Sequence, residues 1–149
     1  MKLETHELPN LKQPEANLFS CGQPSREAIE SLCKSGCEVI VNLRPPAECG
    51  DFDEAGCARQ LGLAYHNIPI AGPGDLGPDA VEALDRILKE AGDRPVVIHC
   101  ASGNRVGGLL ALHGCWKRGM SPEQAIAYGE KSGLEAPGLR TAVMRKLKG

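Results

Sequence analysis

Aromatic residues are scarce in this chain, which has only two Phe, two Tyr and one Trp among its 149 residues, so an aromatic sandwich around a substrate ring is hard to build. The 17 Lys and Arg nearly balance the 19 Asp and Glu, which argues against a nucleic-acid-binding protein. No apolar run approaches the ~20 residues that span a bilayer, and the start lacks an apolar signal core. We therefore expect a soluble, cytoplasmic protein that binds neither nucleic acid nor a membrane.

Paired metal-binding cysteines are also missing, because the seven cysteines include no CxxC pair. The chain is long enough to bury a core without disulfides, so reduced thiols are predicted. Cys33, Cys37, Cys49 and Cys57 offer four possible zinc ligands, but their spacings are loose for a structural zinc site. We predict no metal and no other cofactor.

Strand-like and helix-like segments alternate along the chain without a hairpin signal, which predicts one α/β domain over residues 1–149. Residues 1–17 contain two prolines and little periodicity, and we interpret them as an extended lead-in. The predicted sheet is mostly parallel, has four to five strands and is flanked by helices on both faces. Strands are predicted at 18–21, 38–43, 64–70 and 96–100, and helices at 25–34, 53–61, 79–91, 104–118, 122–131 and 139–147.

The rest of the chain is organised around residues 96–108, which have the pattern of a buried strand, a tight loop and a helix start. Cys100 falls where the strand ends, Gly103 relaxes the loop, and Arg105 begins the helix. In parallel sheets ligands bind at the carboxyl ends of strands. The sequence therefore predicts a thiol at a ligand-binding edge.

A loop over a helix start collects unpaired backbone N–H groups that point at one anion. The amides of Ala101, Ser102, Gly103, Asn104 and Val106 are the predicted donors. With the guanidinium fork of Arg105 they would stabilise a Cys100 thiolate and hold an incoming oxyanion. The plainer interpretation is an inert, buried cysteine in an ordinary strand-to-helix turn.

Two further features of this stretch carry expectations. His99 precedes the thiol on a strand, so its side chain faces away from Cys100, and we expect it to orient the loop through a backbone hydrogen bond. Gly107 and Gly108 lie inside the helix, where each costs about 1 kcal/mol relative to alanine. A close approach of this helix to a strand is the expected reason for them.

With these residues in hand, the chain resembles the cysteine-dependent phosphatases, and most closely the bacterial beta-lactamase hydrolase-like protein, phosphatase-like domain family. The stretches that carry the resemblance are 20–25, 39–45, 65–69 and 99–105. The resemblance implies a tyrosine-phosphatase-like fold. It also implies that Cys100 is the nucleophile, and that Arg105 with the loop amides is the anion clamp.

The sequence departs from the usual phosphatase pattern in three places. Four residues separate Cys100 from Arg105, where these phosphatases usually have five, and rhodanese-like sulfurtransferases share the shorter spacing. Val106 stands where a Ser or Thr hydroxyl commonly helps the thiolate leave, and Ser102 is a possible substitute. The general acid is expected on a loop about thirty residues before the cysteine, and Asp75 is the candidate although it comes late, whereas Asp79 fits a helix cap or first-turn charge.

The predicted activity is hydrolysis of a phosphate monoester through a phosphocysteine, with Cys100, Arg105 and Asp75 as catalytic residues. The partner would be a phosphorylated small molecule or a phosphoprotein. One alternative is a sulfurtransferase that carries a Cys100 persulfide between a sulfane-sulfur donor and a thiol acceptor. Another is a redox-sensing, anion-binding domain in which oxidised Cys100 pairs with a second cysteine.

Overall fold

A five-stranded sheet forms the centre of the computed structural model, which describes residues 8–149. The strands are β1 (Lys12–Glu15), β2 (Leu18–Cys21), β3 (Val39–Asn42), β4 (Ala64–Asn67) and β5 (Val96–His99). Their spatial order is β1-β2-β5-β3-β4, and all neighbours are parallel except β1 and β2. This confirms the predicted α/β class and the mostly parallel sheet.

Six helices surround the sheet: α1 (Arg26–Lys34), α2 (Glu54–Gln60), α3 (Pro78–Ala91), α4 (Asn104–Arg118), α5 (Pro122–Lys131) and α6 (Pro137–Lys148). Two separate apolar clusters fill the two faces of the sheet. Helices α3, α4, α5 and α6 contribute to one cluster, and α1 and α2 contribute to the other. The helices therefore cover both faces, as the sequence predicts.

Helix boundaries follow from capping side chains that the sequence contains. The Ser25 hydroxyl accepts a hydrogen bond from the Ala28 amide and begins α1. Ser121 and Gln124 form a complete capping box at the start of α5. These bonds satisfy backbone donors that a helix start otherwise leaves unpaired.

The N-terminal segment differs from the expectation of an extended lead-in without a hairpin. Residues 12–15 form β1, which turns at Ala16 and Asn17 and pairs antiparallel with β2. The register of this pairing shifts between Lys12 and Glu15, so the hairpin is irregular. Residues 1–7 of the predicted lead-in lie outside the described part of the chain.

The close approach made by the α4 glycines is also different from the one expected. A Cβ on Gly107 would lie 2.7 Å from the carbonyl oxygen of Gly129 in α5, and one on Gly129 would lie 2.8 Å from Gly107 O. Gly108 faces Leu76 and Val143. Glycine at these positions therefore lets α4 pack closely against another helix and against Leu134 in the segment before α6, not against a strand.

Candidate active site

Cys100 lies directly after β5, at the carboxyl edge of the sheet, where the chain turns into α4. Its side chain is buried, and its Sγ accepts a hydrogen bond from the Gly103 amide at 3.0 Å. Gly103 has a φ of +96°, a left-handed conformation that glycine adopts without a steric cost. The tight loop predicted from the sequence therefore wraps around the thiol.

The carbonyl groups of this loop are bound from outside. Ala101 O accepts a hydrogen bond from the Gln23 amide at 3.3 Å, and Ser102 O accepts one from Asn10 Nδ2 at 3.0 Å. In a trans peptide the C=O and the following N–H point in opposite directions. The amides of Ser102 and Gly103 are therefore turned toward the inside of the loop.

A glycine allows the loop to sit so close to the end of β2. A Cβ on Gly22 would lie 2.7 Å from the Ala101 carbonyl oxygen, closer than real Cβ atoms come to a backbone oxygen. On the other side of the loop, Asn104 Oδ1 accepts hydrogen bonds from the amides of Glu135 at 2.7 Å and Ala136 at 2.6 Å. The loop is therefore anchored on both sides.

Arg105 is held by a carboxylate and a carbonyl. Its Nη1 and Nη2 each donate to one oxygen of Glu48 at 2.9 Å, and Nη1 also donates to Ile70 O at 2.7 Å. The hydrogen bond to Glu48 is the main reason that the pKa of Arg105 is raised, and the charge of a Cys100 thiolate adds to it. These bonds to Glu48 and Ile70 do not use the Nε–H and the second Nη2–H of Arg105. Those two groups together form the side edge of the guanidinium fork.

His99 differs from its expected role. It is fully buried, and its Nε2 lies 2.5 Å from Oε2 of Glu54, the buried first residue of α2. Its partner is thus a carboxylate, not a backbone group. The Nδ1 atom has no hydrogen-bond partner within residues 8–149.

Asp75 ends a short 3-10 turn, Pro73–Asp75, in the loop that follows β4. Its Oδ2 accepts a hydrogen bond from the Ala71 amide at 2.8 Å, which closes the turn. The same loop supplies Ile70, whose carbonyl binds Arg105. The role of Asp75 as a general acid remains a prediction. Asp79 lies in the first turn of α3, after the cap residue Gly77, and is a helix-start charge.

Val106, which replaces the usual hydroxyl residue, and Ser102, its possible substitute, have different surroundings. Val106 is completely buried in the apolar cluster on the α4 face. Ser102 is exposed, and its hydroxyl accepts a hydrogen bond from Asn104 Nδ2 at 3.2 Å. A substitute role for the Ser102 hydroxyl at the thiolate therefore stays a prediction.

The remaining cysteines are free thiols. Burial, and to a smaller extent the nearby Cys100, raises the pKa of Cys21 well above its usual value. Cys21 belongs to the apolar cluster on the α1 face, whereas Cys100 belongs to the cluster on the α4 face. A direct pairing of these two thiols would therefore require the chain to rearrange.

Within residues 8–149, no group of three or more His, Cys, Asp or Glu side chains is arranged to hold a metal ion. No helix in this part of the chain has the length and apolar character needed to cross a membrane. His113, for which the sequence shows no partner, binds Asp85 at 3.0 Å on the buried side of α4.

Comparison with known proteins identifies the family of this site. Residues 2–145 match the family described as PTP-NADK, a DSP-PTPase phosphatase fused to NAD+ kinase. The chain belongs to the PTP-NADK family. This agrees with the phosphatase resemblance of the sequence.

Among curated relatives of this PTP-NADK chain, the beta-lactamase hydrolase-like protein of Xylella fastidiosa is 30% identical over 118 residues. That stretch covers 76% of this chain and 27% of the relative. The Agrobacterium fabrum protein of the same name is 34% identical over 99 residues, covering 64% of this chain and 22% of the relative. The chain thus spans about a quarter of the length of the curated relatives it matches.

Solved structures show the same fold. A DUF442 protein from Shewanella putrefaciens superposes with a TM-score of 0.72 at 25% identity, covering 95% of both chains. P. aeruginosa TpbA in complex with pTyr superposes with a TM-score of 0.74 at 17% identity, covering 100% of this chain and 88% of TpbA. The PTP-NADK chain therefore has a tyrosine-phosphatase-like fold.

Sequence reasoning missed part of this PTP-NADK site. Glu48 pairs with both Arg44 and Arg105, and no pattern in the sequence indicates that it holds Arg105. Glu54 was also missed, because a charged residue on the weakly apolar helix 53–61 gives no sign of burial. Gln23 was visible only as part of a Gly-Gln-Pro turn.

Proposed function

We propose that the chain hydrolyses phosphate monoesters with Cys100 as the nucleophile. The observation that carries this proposal is the Gly103 amide 3.0 Å from Cys100 Sγ, together with an Arg105 that is held at its end by Glu48 and Ile70 and has Cys100 as a hydrogen-bonding neighbour. A thiol and a guanidinium fork joined by a loop of inward-facing amides suit a tetrahedral oxyanion.

In the first step the Cys100 thiolate attacks phosphorus in line with the leaving oxygen, forming an S–P bond while the P–O bond breaks. Arg105 and the loop amides, from Ala101 to Val106, stabilise the equatorial oxygens as their charge shifts. Asp75 gives its proton to the leaving oxygen, so that an alcohol departs. His99 keeps the loop in position from below.

In the second step water attacks the phosphorus of the phosphocysteine. The S–P bond breaks, the thiolate is restored, and inorganic phosphate is released. The proton from water passes to Asp75, which is ionised after the first step. Both steps balance without a metal or a redox partner.

The substrate class follows from the family and the fold. The PTP-NADK family and the TpbA structure with pTyr support a phosphorylated substrate. We infer a phosphoprotein or a phosphorylated small molecule. The full activity of longer relatives does not follow from this chain alone, because it matches about a quarter of them.

The deciding experiment compares wild type and Cys100→Ser on an aryl phosphate and on thiosulfate with cyanide. Phosphate release that disappears in Cys100→Ser, with a phosphorylated Cys100 peptide trapped by rapid acid quenching, supports the proposal. Thiocyanate formation that depends on Cys100, without phosphate release, selects sulfur transfer, which the four-residue loop favours as the alternative. If neither reaction occurs and peroxide oxidises Cys100 to a disulfide, the redox sensor is selected.

A further inference from the structure

A chain of side-chain hydrogen bonds begins beneath Cys100, at His99. His99 Nε2 lies 2.5 Å from Glu54 Oε2, and the other carboxylate oxygen accepts a bond from Gln23 Nε2 at 2.8 Å. Gln23 Oε1 in turn accepts a bond from Arg44 Nη1 at 2.9 Å. These four side chains come from the ends of β5 and α2 and from the loops after β2 and β3.

The same chain continues from Arg44 to the anion clamp. Arg44 Nη2 donates to the Glu48 carbonyl oxygen at 2.5 Å, and Arg44 Nε lies 3.5 Å from Glu48 Oε1. Glu48 then binds the end of the Arg105 fork through both carboxylate oxygens. Because the backbone from Arg105 leads back through Cys100 to His99, the hydrogen bonds and the loop form a closed ring that includes Cys100.

Gln23 lies in this ring between a guanidinium and a carboxylate, and its amide has a single workable orientation. A guanidinium only donates hydrogen bonds, so the Arg44 side requires the amide oxygen. A carboxylate only accepts them, so the Glu54 side requires the amide nitrogen. Gln23 also binds the Ala101 carbonyl through its backbone amide, so its side chain and backbone touch the ring and the loop at once.

We propose that Gln23 is a positioning residue for the anion clamp. Its side-chain oxygen accepts a hydrogen bond from Arg44 and so positions Arg44 to bind Glu48. Glu48 in turn orients the Arg105 fork toward the oxyanion. Its nitrogen holds Glu54 against His99 under the thiol. The inference deepens the proposed phosphatase function and rests on it for its kinetic consequence, but its effect on anion binding can be measured without turnover.

The test uses Gln23→Leu, which keeps the side chain's approximate volume and removes its three hydrogen bonds, to Glu54, Arg44 and the adjacent Pro24 carbonyl. Gln60→Leu, at the exposed end of α2, is the matched control. The expected result for Gln23→Leu is a fall in kcat of about tenfold with a smaller change in KM, because a misplaced clamp loses most in the transition state. Gln60→Leu should match wild type, and thermal melting should show all variants folded.

Turnover-independent binding is measured by the protection that inorganic phosphate gives Cys100 against iodoacetate, read by mass spectrometry of the Cys100 peptide. Gln23→Leu should need roughly tenfold more phosphate for half protection. Gln23→Glu, which keeps an acceptor for Arg44 but places a carboxylate beside Glu54, should stay within about threefold of wild type, because the Arg44 arm leads to Arg105. If Gln23→Leu fails to fold, Gln23→Ala is measured in its place with the same expected loss, and wild-type protection in that variant overturns the inference.

A double-mutant cycle with Arg44→Met separates positioning from general structural damage. If Gln23 acts through Arg44, Gln23→Leu should change phosphate protection less than about twofold in the Arg44→Met background. If the losses of phosphate protection caused by Gln23→Leu and Arg44→Met multiply in the double variant, the inference is overturned. Wild-type protection in Gln23→Leu alone would overturn it as well. If wild type releases phosphate and Gln23→Leu has the same activity and protection as wild type, this inference alone is rejected. If Gln23→Leu changes the phosphate protection of Cys100 but wild type shows no turnover, the phosphatase function alone is rejected.

Discussion

Glu48 and Arg105 form a two-pronged ion pair in which both joining N–O distances are 2.9 Å. The pair uses the end of the guanidinium and so decides which edge of the fork remains for an oxyanion. Glu48→Gln should therefore lower kcat/KM by about tenfold or more, because an amide holds the fork by only one acceptor. Steady-state assays on an aryl phosphate measure this change.

Glu130→Gln is the matched control, because Glu130 makes an exposed pair with Arg140 far from the loop. Equal losses in both variants would contradict the role given to Glu48.

The same pair predicts how the site responds to acid. The hydrogen bond from Arg105 holds the pKa of Glu48 below its usual value of 4.5, with a smaller contribution from Arg44. A carboxyl with a lowered pKa keeps its pairing as pH falls and loses it only below that usual value. Phosphate protection of Cys100, compared between wild type and Glu48→Gln, should thus differ by the same factor at pH 7 and pH 5. A difference that vanishes by pH 5 would show that Glu48 has already been protonated.

Arg105→Lys keeps the positive charge but removes the planar fork. Because the proposed clamp needs two parallel N–H groups on one oxyanion, kcat/KM should fall by about a hundredfold. Arg140→Lys, on the exposed surface, should have no effect. Near-normal activity in Arg105→Lys would mean that charge alone suffices and that the fork geometry is unimportant.

The proposed acid can be tested by changing the leaving group. Asp75→Asn should lower kcat by about a hundredfold for an alkyl phosphate, whose leaving oxygen needs a proton. In a single turnover it should have little effect on nitrophenolate release from a nitrophenyl phosphate, because that leaving group departs as an anion and the later hydrolysis step is not measured. Asp79→Asn is the control in the first turn of α3. An equal loss on both substrates would exclude Asp75 from acid catalysis.

The sequence was sufficient for those parts of the fold that depend on local patterns. The patterns at residues 96–100 and 122–131 each predicted their element within a residue or two. β4 is shorter than predicted, because it ends at Asn67 and the expected strand ran to Ile70. The amides of Ile68 and Ile70 still donate to Asn42 O and Leu43 O, but Pro69 between them has no N–H with which to continue a regular ladder.

The contacts around the thiol could be predicted only in part. The Cys100 and Arg105 spacing pointed to a loop, and the loop forms, but the partners of Arg105 come from two other loops. Gln23 and Glu54 are 31 residues apart and meet only through the strand order. Such long-range polar contacts leave no periodic signal in one sequence, because each residue alone fits an ordinary turn or helix start.

The crossing of α4 and α5 gives a prediction about stability. Gly107→Ala would place a Cβ 2.7 Å from Gly129 O in α5 and also against the Leu134 amide, which is itself hydrogen-bonded to Gly129 O, so relief of either contact disturbs the end of α5. The free energy of unfolding should fall by about 1–3 kcal/mol, measured by urea denaturation. Gly138→Ala, a helical position in α6 with open space around its Cβ, should instead be neutral or stabilising by up to about 1 kcal/mol. If the two variants unfold alike, the close helix crossing is not what requires glycine at position 107.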